Sequence, residues 1–146
     1  MLQFTGTGNM TFENIRFQNN EAERIIISDA KGIITAPNIQ FLSNQVNGLV
    51  DLTSGDFKFS NVKVSHSTPS LGTCFILKGD AKLFLSNSNI TGCSSTNGVG
   101  VLKVGDSSEV SLINVNIADS KGTLGSVAMF SDLSQVISKT IFLFLS

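Results

Sequence analysis

The chain has 146 residues, of which 41% are hydrophobic and 14% charged, and its ten basic and eleven acidic side chains sum to a net charge of −1. Soluble domains carry roughly 25% charged residues; here Ser, Thr, Asn and Gly fill the gap, a mixture suited to extended chain and turns and poor for helices. This balance gives no electrostatic footprint for nucleic acid or anionic lipid, and no apolar run approaches the roughly 20 residues that a membrane helix needs.

The first stretch, "MLQFTGTGNM", has neither the basic nor the apolar region of a leader peptide. "LQFTGTGNMTFEN" at 2–14 aligns without a gap to "FILKGDAKLFLSN" at 75–87, so the chain begins in the last strand of one repeating unit. The unit's key phrase follows as "FENIRF" at 12–17. It returns as "APNIQF" at 36–41, "FSNVKV" at 59–64, "LSNSNI" at 85–90 and "LINVNI" at 112–117. The anchors Asn14, Asn38, Asn61, Asn87 and Asn114 are separated by 24, 23, 26 and 27 residues. A weaker sixth phrase, "SKTIFL" at 138–143, puts Thr140 at the anchor. Six residues past each anchor stands another small residue: Asn20, Asn44, Ser67, Cys93, Ser120 and Ser146.

Between the phrases lie second apolar stretches: "RIIIS" at 24–28, "GLVDL" at 48–52, "CFILK" at 74–78, "GVLKV" at 100–104 and "VAMF" at 127–130. Gly-Asp and Asp-Ala turns close most units. The apolar positions alternate with period two and are β-branched or aromatic, which argues strands and not helices. About 25 residues per repeat accommodates three short strands and three corners. The expectation is an all-β, single-stranded, right-handed parallel β-helix of five to six coils. Residues 1–146 are expected to be one segment of a longer solenoid with uncapped ends, open to edge-to-edge self-association.

In such a stack, equivalent residues of successive coils lie over one another about 4.8 Å apart. Ile15–Ile39–Val62 and Phe17–Phe41–Val64–Ile90–Ile117 then form inward columns. The anchor asparagines, with Asn20 and Asn44, form amide ladders at corners, a structural role. Cys74 and Cys93 fall 13 and 6 residues past their anchors. They do not share a slot, so two small buried thiols are the first expectation and a disulfide the second.

"FQNN" at 17–20 and "FLSN" at 41–44 resemble the F-x-x-N repeat of polymorphic outer-membrane proteins and similar protist surface proteins. Where that bacterial family carries G-G-A-[ILV], this chain has "NGLV", "LGTC", "NGVG" and "LGSV". By its periodicity the whole chain resembles the pectin-lyase-like superfamily of parallel β-helices. That resemblance implies an extracellular or cell-surface setting, and two possible kinds of role.

Enzymes of that superfamily act on acidic polysaccharides with clustered carboxylates, beside an arginine or a histidine. Here the aspartates are dispersed and mostly sit in turns. Asp56, Asp80 and Asp106 each follow a turn glycine; they are expected to shape corners, with an acidic column for calcium as the alternative. Arg16 is expected at a solvated outward position opposite Gln40, and His66 in a surface corner containing Pro69. No catalytic, cofactor or metal residues are assigned. Asn9 in "NMT" and Asn89 in "NIT" are possible glycosylation acceptors. With neither Tyr nor Trp, the chain lacks an aromatic sugar platform, and its eleven Phe suit the core. The expected function is a non-catalytic structural or adhesive surface module whose partner is a protein or a glycan. The alternative is a fragment of a polysaccharide lyase or hydrolase whose catalytic coils lie elsewhere.

Overall fold

The computed structural model describes residues 1–65 and 73–131, and the backbone of 135–144. His66, Ser67, Pro69, Asp132 and Ser146, and the side chain of Thr140, lie outside the described residues. Among the described residues there is no helix, and the paired strands run parallel, 23 to 27 residues apart in sequence. They form a parallel β-solenoid of about five turns.

The first sheet stacks the second apolar stretch of each unit, in chain order: Leu2–Phe4, Ile26–Ser28, Val50–Leu52, Phe75–Leu77, Leu102–Val104 and Ala128–Phe130. Leu2 and Phe75 occupy the same column of this sheet, through Ile26 and Val50. The second sheet carries the Asn phrase. In the early turns the phrase is split into two strands, Ile33–Pro37 with Gln40–Leu42 and Asp56–Ser60 with Lys63–Ser65. In the later turns it is continuous, as Lys82–Thr91 and Glu109–Ala118.

Along Glu109–Ala118 the buried positions are Val110 and Leu112, then Val115 and Ile117. The period of two slips by one residue at Asn114, and in the same way at Asn87 between Leu85 and Ser88. One residue in the left-handed conformation bends the strand and restores the inward face after the corner. This slip is the physical content of the repeated phrase: apolar, x, Asn, apolar, x, apolar.

The interior between the sheets is filled by Phe41, Phe57, Phe59, Phe75, Ile26, Ile39, Leu52 and Leu77, all essentially inaccessible to solvent. Each such side chain contributes about 1.5–3 kcal/mol through burial. The column Phe17–Phe41–Val64–Ile90–Ile117 is in register throughout. Phe17 stacks on Phe41 with ring centroids 5.2 Å apart. In the neighbouring column Ser88 follows Ile39 and Val62. Its hydroxyl accepts the Val62 N–H at 3.0 Å and donates to the Ser86 carbonyl at 2.7 Å, so this buried polar atom is satisfied.

Two expectations are corrected. Cys74 and Cys93 are not separate thiols but a disulfide, fully buried, with Cα atoms 6.3 Å apart and a sequence separation of 19. Their different offsets do not matter, because the bond crosses a turn and does not run along a column. In the last strand, Gln135–Phe144, the register shifts between Leu112 and Val115, so that Thr140 faces Ile113 and not the anchor Asn114. A register shift in the ladder breaks the simple 26-residue step assumed for Thr140.

Candidate functional site

Asn14, Asn38, Asn61, Asn87 and Asn114 have φ of 58°, 59°, 54°, 49° and 54°. Asn tolerates this left-handed region better than other side-chain-bearing residues. All five are exposed. Asn38 Nδ2 donates to Asn14 Oδ1 at 3.0 Å, Asn61 Nδ2 to Asn38 Oδ1 at 3.0 Å, and Asn114 Nδ2 to Asn87 Oδ1 at 2.9 Å. The amides thus run in two ladders along one corner.

Five residues past the anchors a second left-handed column turns the next corner, at Asn19, Ser43, Gly92 and Asp119. It escaped the sequence because four different residue types occupy it. One residue further on, Asn44 is fully buried: its Oδ1 accepts both the backbone N–H and the side-chain amide of Asn20, at 3.0 and 2.8 Å. Its Nδ2 donates to the Phe17 carbonyl at 3.1 Å. That bond joins the Asn of one F-x-x-N copy to the Phe carbonyl of the copy before it. In the same slot Cys93 joins the disulfide, and Ser120 donates to the Ala118 carbonyl at 3.1 Å.

Asn9 is exposed, and its Oδ1 accepts the Ile33 N–H at 3.1 Å. Asn89 stands mid-strand in an outward row, Arg16–Gln40–Lys63–Asn89–Asn116, and its Oδ1 accepts from Asn116 Nδ2 at 2.8 Å. Arg16 is exposed in this row.

The three turn aspartates do not form one acidic column. Asp56 is in register with Lys82 and Glu109, so charges alternate along that row. Lys82 Nζ lies 3.1 Å from a Glu109 carboxylate oxygen. The hydrogen bond to Glu109, then its charge, raises the Lys82 pKa, against weak desolvation. Asp106 sits one turn beyond Gly79, with φ of 56° against 61° for the glycine, and its carboxylate accepts the Gly79 N–H at 2.7 Å. It shapes a corner. Among the described residues no three His, Cys, Asp or Glu side chains gather as a metal site.

A different cluster was not foreseen. On the outer side of the first sheet, Asp51, Ile76, Lys103 and Met129 share one column. Asp51, with a side chain 14% exposed, accepts from Arg24 Nε and from Lys78 Nζ, each at 3.3 Å. Arg24 also donates to the Glu23 carbonyl at 2.8 Å. Gly48 leaves room for it, since a Cβ there would stand 3.2 Å from Arg24 Cδ. Arg24, Lys78 and Lys103 line a groove of about 250 Å³, with Leu124 and Met129 as its accessible apolar side chains. Only winding brings these residues together, and no short motif contains them. The groove sets positive charge beside the exposed Leu124 and the half-buried Met129, so it favours an anionic ligand that also carries an apolar side chain. Comparison with protein-family models, with curated proteins and with solved structures gives no match to this chain.

Proposed function

We propose that this chain is a non-catalytic structural and adhesive module, a rigid solenoid of the pectin-lyase-like kind that works outside the cell. The observation that carries the reading is the parallel register held from the first described turn to Glu109–Ala118, which turns successive coils into straight outward rows such as Arg16–Gln40–Lys63–Asn89–Asn116. Ladders and core hold the coils together from within, leaving those rows available for contact with a protein or a glycan. The buried Cys74–Cys93 disulfide supports an oxidising compartment, as at a cell surface.

The test couples the purified, oxidised chain to beads and measures their adhesion to cells and to extracellular matrix. Retention above that of beads carrying the urea-unfolded chain is the expected result. In parallel, the soluble chain is incubated with polygalacturonate, and unsaturated or reducing ends are measured. Sustained product release would overturn the non-catalytic reading in favour of a polysaccharide lyase or hydrolase.

A further inference from the structure

We infer that the groove on the outer side of the first sheet is a docking site for an acidic, leucine-bearing peptide segment of a partner protein. The inference rests on the interaction-module reading and specifies where such a partner binds. Three cations, Arg24, Lys78 and Lys103, line the groove in a chain whose net charge is −1. Among the described residues, Asp51 pairs with Arg24 and Lys78. No ion pair is found for Lys103 among the described residues, and it is exposed.

Beside these charges lies aliphatic surface. Ile76 and Met129 flank Lys103 in register, and Leu124 is 65% exposed. A lone anion has no use for that surface. A saccharide acid would meet cations for its carboxylates but no ring to stack on, since no aromatic side chain lines the groove. A peptide that alternates carboxylates with Leu, Ile or Met answers both halves of the groove, and flexible Met129 accommodates such side chains. Charge complementarity sets the partner's sign, and the accessible Leu124 and Met129 set its class.

The test is fluorescence anisotropy of the oxidised chain with a short labelled peptide of alternating Glu and Leu. A peptide with Gln in place of Glu, and a sulfated oligosaccharide, serve as comparisons. Binding of the Glu peptide that weakens with added salt is expected, with the Gln peptide at least about tenfold weaker. Lys103→Glu should lower affinity about tenfold, and Leu124→Ser several-fold with an unchanged salt slope. Lys58→Glu carries the same net charge change on the second sheet, away from the groove, and should leave binding unaltered. Equal loss from Lys58→Glu and Lys103→Glu would overturn the inference as general charge attraction. Displacement by the oligosaccharide at far lower concentration than unlabelled peptide would overturn it in favour of a glycan site. If adhesion persists in Lys103→Glu beads while peptide binding is absent in wild type, this inference fails and the module reading stands. Loss of all adhesion by the wild type would instead remove the module reading.

Discussion

The early and late turns of the solenoid solve the same corner with different chemistry. In the early turns, Asn44 sits fully buried six residues past its anchor and holds Asn20 and the Phe17 carbonyl through its amide. In the late turns, that slot holds Cys93, tied covalently to Cys74, and then Ser120 with a single bond to its own turn. The inward column changes as well, from the stacked rings of Phe17 and Phe41 to Val64, Ile90 and Ile117. At these two slots, unlike the anchor, the repeat keeps a geometric requirement and not a residue. What each slot demands is a filled interior and a satisfied backbone, and several side chains meet that demand.

The two halves can be set against each other by mutation, beginning with the largest effect. Phe41→Ala should destabilise the chain by about 4 kcal/mol, and Ile90→Ala by about 3 kcal/mol, in urea titrations. Equal losses would mean that ring stacking adds nothing to the early column. Replacing both Cys74 and Cys93 by Ser should cost about 3 kcal/mol, the loop-closure value for 19 residues. Unfolding of that variant should be indifferent to dithiothreitol, whereas the wild type should weaken in it; insensitivity of the wild type would show that the late corner does not depend on its bond.

Asn44→Ala should cost about 2 kcal/mol, because it leaves the Asn20 N–H and the Phe17 carbonyl without this partner. At the exposed anchors, Asn38→Ala should cost about 1.5 kcal/mol and Asn38→Gly only about 0.5 kcal/mol, since glycine keeps the left-handed bend and loses just the ladder. Both variants lose the amide ladder, so thermal melts that rank Gly below Ala would show that the left-handed bend does not govern the cost. The smallest effect is expected at Lys82. Its pKa in the folded chain is raised above 10.5 by Glu109, so the pair's stabilisation is fully present below that value and is lost as pH rises through the folded one. Melts of wild type and Lys82→Gln should therefore converge in strong alkali; a constant gap would show that the pair does not titrate as described.

Much of the fold was legible because period and alternation are local quantities that survive in a linear text. The Asn phrase marked the corner at every turn from Asn14 to Asn114, and the gapless match of 2–14 to 75–87 placed Leu2 and Phe75 in one column. The second left-handed corner was hidden, because Asn19, Ser43, Gly92 and Asp119 share a backbone conformation but no side chain. Asp56, Asp80 and Asp106 looked equivalent by their turn glycines, yet small differences in repeat length put Asp56 opposite Lys82. A shift of one or two residues is invisible in a loose motif and decisive in a ladder.

What the amino-acid order determined alone is the winding itself: strand-forming stretches of alternating polarity, interrupted at regular intervals by residues that accept a left-handed bend. Folding in three dimensions decided which distant side chains meet. Cys74 and Cys93 come within bonding distance, and Arg24, Lys78 and Lys103 converge on one groove, only after the turns have stacked. Local propensity acts over a few bonds, whereas disulfide geometry and charge clustering depend on through-space distances that the accumulated length of every turn sets.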